Sequence, residues 1–215
     1  MKLNDLKNYC LSLALTPFLV GNSVHADDTL AALMQRMKSD TAVRVAYQET
    51  RTLALMEQPW HGSGYMYSLP PDLMIKEQLR PERVLMGING EQMLYFDPGN
   101  EVRHQGVMDA DNPMTLNIAV FKALMTADQA LLDSLYQVEF VSLPERWSMV
   151  LRAKNDPDSP FRIEISGAHG KQAERIHVEQ ADGDSREISM EKEAEGGEVK
   201  ARMEQLYQEL LGADE

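Results

Sequence analysis

The stretch Gly62–Pro98, GSGYMYSLPPDLMIKEQLRPERVLMGINGEQMLYFDP, decides the fold of this chain. Four short apolar-rich runs are broken by Pro70-Pro71, Pro81 and Asn89-Gly90. Tyr65, Tyr67, Val84, Leu85, Ile88, Tyr95 and Phe96 suit a pleated backbone, where branched and aromatic side chains pack against cross-strand neighbours. Pro and Gly end each run, because one lacks an N–H and the other supplies unusual φ values. The stretch therefore predicts a meander of antiparallel strands.

Upstream of the meander, residues 28–38 predict a helix. Asp28 is the expected cap, and Leu30, Leu33, Met34 and Met37 recur at helical spacing. From Thr41 the period changes to two, with Val43, Val45 and Tyr47 on one side and Arg44 and Gln48 on the other. That strand is expected to run on through Leu53 and Leu55 to Met56, a length that suits a strongly curved sheet. Downstream, Val102, His104 and Gly106 suggest one more strand.

Residues 107–134 break the β pattern. Asn112-Pro113 can open a helix carrying Leu116, Ile118, Val120, Phe121 and Leu124, apolar on more than one face, so both faces must be covered. Asp128 can cap a second short helix through Leu131, Leu132 and Leu135. Strand signals resume at Tyr136–Val141, Trp147–Leu151, Phe161–Ile165, Arg175–Val178 and Glu187–Met190, separated by turn-rich stretches. Val199, Met203, Leu206, Tyr207 and Leu210 then mark an amphipathic helix at the C-terminal end. The expected fold is mainly β: an unclosed, curved antiparallel sheet of about ten or eleven strands, with an N-terminal helix, a helical lid insertion and a C-terminal helix.

The chain has 215 residues. Residues 1–26 read as a secretory signal peptide: Lys2 and Lys7 form a basic start, Tyr9–Val20 is a short apolar segment, and Val24-His25-Ala26 sets small residues at the two positions a signal peptidase reads. Residues 27–215 are then expected to form a single domain. The one cysteine, Cys10, falls in the leader, so no disulfide holds that domain together. A formal charge of −13 opposes binding to nucleic acid and to anionic lipid headgroups.

No catalytic constellation stands out. His61, His104, His169 and His177 are scattered without metal-ligand spacing. His61-Gly62-Ser63-Gly64 fails the Gly-x-Ser-x-Gly elbow at its first position. Gly87-Ile88-Asn89-Gly90 has neither the length nor the Lys of a phosphate loop. The carboxylates read as a solvated surface. The protein is expected to be neither an enzyme nor a cofactor protein. The 14 methionines are the unusual feature, all but Met1 beyond the leader. Methionine is flexible and polarizable, and so adapts to irregular apolar partners, a core or a ligand.

The order of motifs resembles the LolA-type carriers of periplasmic lipoproteins, from about Asp28 to Lys192. A first helix leads into a strand with Ala46-Tyr47-Gln48-Glu49. Ser63-Gly64 follows, then Pro71-Asp72-Leu73-Met74, Pro81 and Asn89-Gly90. Met93-Leu94-Tyr95-Phe96-Asp97-Pro98 looks like the family's apolar-aromatic run. Asn112-Pro113-Met114 opens the insertion, and Val178-Glu179-Gln180 with Asp182-Gly183-Asp184 resembles the carriers' last paired strands. The resemblance implies a half-barrel under a helical lid, binding lipoprotein acyl chains without cofactor or bond cleavage. It also implies an inner-membrane transporter that loads the carrier and an outer-membrane receptor that empties it. Two features depart from the pattern. The carriers have an Arg, tying lid to barrel, where this chain has Pro70, and they end in an extended segment where this chain has Val199–Leu211.

On this reading Val43, Val45, Tyr47 and Met66 are the cavity candidates, with Met74, Met93 and Tyr95 beside them. Leu116, Val120, Phe121 and Leu124 are the lid candidates. A one-residue register slip would turn every strand candidate to the other face. The expected function is a periplasmic carrier of acyl chains of lipoproteins or related lipids. The alternative is an envelope sensor that recognises lipoproteins or a membrane-protein partner without shuttling.

Overall fold

The computed structural model describes residues 29–107, 120, 122–124 and 126–213. Eleven strands form one antiparallel sheet. They are β1 (Val43–Thr52), β2 (Trp60–Leu69), β3 (Leu73–Arg80), β4 (Val84–Asn89), β5 (Gln92–Asp97), β6 (Val102–Val107), β7 (Tyr136–Ser142), β8 (Arg146–Ala153), β9 (Arg162–Ala168), β10 (Arg175–Glu179) and β11 (Ser185–Glu195). Helices are α1 (Leu30–Met37), α2 (Gln129–Leu135) and α3 (Gly197–Leu211). The order across the sheet is β6-β5-β4-β3-β2-β1-β11-β10-β9-β8-β7. The chain starts mid-sheet, steps outward to β6, moves to the far edge and steps back to β11 beside β1. Strands β6 and β7 are the two edges and do not pair, so the curved sheet stays unclosed.

The meander expected from Gly62–Pro98 forms as strands β2 to β5, and Val102, His104 and Gly106 lie on β6. Some boundaries differ. Strand β1 ends at Thr52, and Leu55 is fully exposed in the turn that follows. An apolar residue there has no facing element to pack on, so the alternation of Leu53 and Leu55 is incidental. Helix α1 is capped by Thr29, whose hydroxyl accepts from the Ala32 N–H at 3.1 Å, in place of Asp28. Asp128 caps α2 as expected, accepting from the Leu131 N–H at 3.0 Å. Strand β11 continues through the acidic stretch to Glu195 because β1 holds it by pairing as far as Val43. Residues 1–26, read from the sequence as a leader, and Asn112-Pro113 lie outside the described residues.

Each strand alternates between two faces, and two hydrophobic cores result. The inner face, which carries Tyr47, is filled over β7–β11 by Trp147, Met149, Leu151, Ile163, Ile165, Ile176 and Ile188. Helix α1 and the helical residues Val120, Ala123 and Leu124 close over it, with Leu132 of α2. The outer face is covered over β1–β5 by α3. Val199, Met203, Leu206 and Leu210 form one stripe of that helix and pack on Tyr67, Ile75, Leu85 and Leu94. At about 1.5–3 kcal/mol per buried Leu, Val or Met, those four side chains contribute roughly 6–12 kcal/mol before ordering costs.

Polar contacts fix the position of α3. Buried Glu77 accepts from Tyr67 Oη at 3.1 Å, Arg83 Nη2 at 3.1 Å and Arg202 Nη2 at 3.0 Å. Arg83 also reaches Glu209 on the helix at 2.9 Å. Arg103 donates to the carbonyl of Glu209 at the end of α3, satisfying an acceptor the helix leaves open. Gly87 allows the close approach: a Cβ there would lie 2.7 Å from Leu210 Cδ1.

Candidate functional site

Cross-strand register sorts the inner face into transverse rows. One row runs Met66–Lys76–Met86–Tyr95–His104 over β2 to β6. The next runs Ser68–Met74–Ile88–Met93–Gly106. Met74, Met86, Ile88, Met93 and Tyr95 thus form one contiguous apolar patch. All five keep contact with solvent among the described residues, Met86 at 37% exposure. Among the described residues, one part of the inner face is a packed core and the other is an apolar surface that still meets solvent.

The sequence-derived residues divide along that boundary. Tyr47 and Met66 lie in the packed core with Val45 against it, joined by Val120 and Leu124. Val43, Val45, Leu124, Met37, Ile176 and Met190 border a cleft of only about 60 Å³. That is far below the roughly 300–1,000 Å³ of an enclosed small-molecule site. Met74, Met93 and Tyr95 are on the open patch. Leu116 and Phe121 lie outside the described residues. Met86 and Ile88 complete the patch; the alternation of Val84, Met86 and Ile88 was the sequence signal for them. A larger hollow of about 200 Å³ lies on the outer face, bordered by Glu164, Arg175, His177 and Glu187, away from the apolar surface.

The end of the hollow beyond Lys76 is charged, which corrects the reading of the carboxylates as a solvated surface. Glu49 and Glu77 are both buried. Glu49 projects from β1 onto the inner face with a fully buried side chain, accepting from Lys76 Nζ at 2.6 Å and Arg51 Nε at 2.6 Å and forming an ion pair with Arg186, whose Nε lies at 3.1 Å. Burial pushes its carboxyl up, but the Lys76 charge and the Arg51 and Lys76 hydrogen bonds outweigh that and hold it below the usual range. Burial also depresses the Lys76 ammonium, an effect Glu49 opposes without cancelling.

The glycines of Gly62-Ser63-Gly64 explain how Lys76 on β3 reaches Glu49 on β1. They face inward on the intervening strand β2 and offer no side chain to block the path. A Cβ on Gly64 would lie 2.0 Å from the Glu77 carbonyl oxygen, and one on Gly62 would meet the Trp60 ring at 2.2 Å. Trp60 folds over Gly62 and stacks beneath the Arg51 guanidinium at 4.4 Å. Lys76 Nζ sits 4.6 Å from the centre of the Tyr47 ring. The Tyr47 hydroxyl is buried and has no hydrogen-bond partner among the described residues.

Residues 21–191 match the family model described as outer membrane lipoprotein carrier protein LolA-like. The chain belongs to that family. This LolA-like protein is also similar to three solved structures at low identity. A LolA superfamily protein from Nitrosomonas europaea is 9% identical, with 79% of this chain and 94% of that one covered and a TM-score of 0.45. A conserved protein from Thermus thermophilus is 13% identical, covering 81% and 90%, with a TM-score of 0.49. A DUF1329 family protein from Desulfovibrio piger is 11% identical, covering 75% and 88%, with a TM-score of 0.46. No curated protein matches the chain.

Family membership accords with a carrier-type, lipid-binding fold. Pro70 stands where the resemblance sets a lid-locking Arg, and an ion pair joins the adjoining turn to the helical segment. Lys122, on the helical segment, pairs with Asp72 at 2.9 Å. Among the described residues no helix is long and apolar enough to cross a membrane, and no group of three or more His, Cys, Asp or Glu could hold a metal ion.

Proposed function

We propose that the protein is a periplasmic carrier, delivered by the leader at residues 1–26, that shelters acyl chains of lipoproteins or related lipids on the inner face of residues 27–215. The observation that carries this reading is the contiguous, half-open patch of Met74, Met86, Ile88, Met93 and Tyr95 beside a closed core. Three of its five members are methionines, which re-pack around a flexible hydrocarbon at little cost. Val43, Val45, Tyr47, Met66, Val120 and Leu124 would form the inner wall. Leu116 and Phe121 would belong to the covering lid, so that all the sequence-derived residues serve one hollow. Loading and release would involve an inner-membrane transporter and an outer-membrane receptor, with no cofactor and no catalytic step.

Energetics favour a lid. Full shelter of an acyl chain of about 16 carbons is worth on the order of 12 kcal/mol, at about 0.8 kcal/mol per methylene. An open surface covers about half of the chain. That leaves roughly 6 kcal/mol, or a Kd of tens of micromolar. Closing the helical segment over the patch adds the remainder, and opening it releases the cargo.

The test is binding of a fluorescent fatty-acyl probe, displaced by palmitate. Met86→Glu and Met93→Glu should weaken binding at least tenfold while leaving Tm within a few degrees, since both side chains already meet solvent. Undiminished probe binding by both folded variants would remove the patch from the carrier reading.

A further inference from the structure

We infer that the cargo is an anionic amphiphile, and that Arg51, Lys76 and Arg186 with the Tyr47 hydroxyl form the subsite for its phosphate or carboxylate headgroup. This rests on the carrier reading of the same inner face and adds the chemical class of the ligand.

Three cations converge on the one carboxylate of Glu49, so the cluster keeps a local charge of +2 in a chain whose formal charge is −13. Their side chains are 30% (Arg51), 20% (Lys76) and 31% (Arg186) exposed, so an incoming anion can reach them. Arg51 and Lys76 each donate to Glu49, and their other N–H groups have no protein acceptor among the described residues. The Nε–H of Arg186 lies near Glu49 but is without a well-formed hydrogen bond. The Tyr47 hydroxyl is a second buried polar group without a partner among the described residues, and Glu49 and Arg51 are the charges that act on it. A carboxylate shared among several cations is a preorganising device: it holds the guanidinium and ammonium groups in place while leaving donors for a second anion.

The subsite adjoins the apolar patch directly. Lys76 and Met86 are cross-strand partners, and Met74 lies two residues from Lys76 on the same face. The transverse row Lys76–Met86–Tyr95 therefore leads from charge to hydrocarbon surface within three adjacent strands. An anion with an alkyl tail engages both at once, whereas a neutral amphiphile engages only the patch.

The experiment compares dodecyl phosphate, dodecyl maltoside and inorganic phosphate by calorimetry on the intact chain, below micelle-forming concentrations. Dodecyl phosphate should bind at least tenfold more tightly than dodecyl maltoside. Lys76→Met and Arg51→Gln, each checked for native Tm and circular dichroism, should collapse that ratio toward one. Glu49→Gln, where it folds, should widen it. Equal affinities for the two amphiphiles in the native chain, or an undiminished ratio in both variants, overturn the headgroup subsite and leave the apolar patch standing. Inorganic phosphate binding as tightly as dodecyl phosphate overturns the amphiphile in favour of a free anion. No binding by either amphiphile overturns the carrier reading itself.

Discussion

Glu49→Gln is the most informative single change to the stability of this protein. The native carboxylate is fully buried and meets Arg51 and Lys76 at 2.6 Å and Arg186 at 3.1 Å. Gln keeps the shape and removes the charge, so three like charges face one another around a neutral amide. Breaking a buried pair by removing one partner costs about 3–5 kcal/mol. The cations are 20–31% exposed, so water screens part of their repulsion and the lower end applies, about 3 kcal/mol. For a domain of this size each kcal/mol lowers Tm by about 2–4 °C, so the expected loss at neutral pH is roughly 6–12 °C.

The pH dependence has a definite sign. Glu49 is held below its ordinary value of 4.5 in the folded state. Its contribution is therefore fully present above the unfolded-state value and is lost as pH falls through the folded one. The Tm gap between native and Glu49→Gln chains should be constant near neutrality and should narrow below about pH 4.5. Thermal melts by circular dichroism from pH 3 to 8, on the order of one unit apart, measure this. A gap under about 2 °C at pH 7, or one that fails to narrow in acid, would refute the account of Glu49 as the organising charge.

Further outcomes follow from the packing. Met203→Ala should destabilise by about 2–5 kcal/mol in urea melts, because Met203 is fully buried between α3 and the outer face. Gly87→Ala should cost about 1–3 kcal/mol by overpacking against Leu210, and pairing it with Leu210→Ala should recover most of that loss. Asp72→Asn should change stability by less than about 1 kcal/mol, since Lys122 and Asp72 are partly exposed. It should instead speed hydrogen exchange at residues 122–124, which the Lys122 contact ties to the β2–β3 turn; unchanged exchange would dismiss that contact as a tether.

Most of the strands were legible because their signal is local. Alternation in Arg146–Ala153 or Arg175–Glu179, closed off by turn residues, depends on near neighbours alone. The Asp128 cap is local too. Strand β11 was undercounted because its acidic end is held by β1 rather than by its own composition. Glu49 and Glu77 looked like surface acids because the near partners, Arg51 and Arg83, do not bury them without others far off in the chain. Lys76 is 27 residues from Glu49, and Arg202 is 125 from Glu77. Val43, Val45, Tyr47 and Met66 share a face by periodicity, but only the docking of α1 and the helical segment made their end of it the closed one.

The sequence alone determined the element types, the hairpin order and the family, since each depends on near-neighbour patterning or on motif order along the chain. The tertiary structure decided three things: which part of the inner face packs shut, that α3 covers the outer face over β1–β5, and that a buried carboxylate gathers three cations beside a methionine surface. Those outcomes come from pairings between residues tens to over a hundred positions apart, and hydrophobic periodicity holds no information at that range.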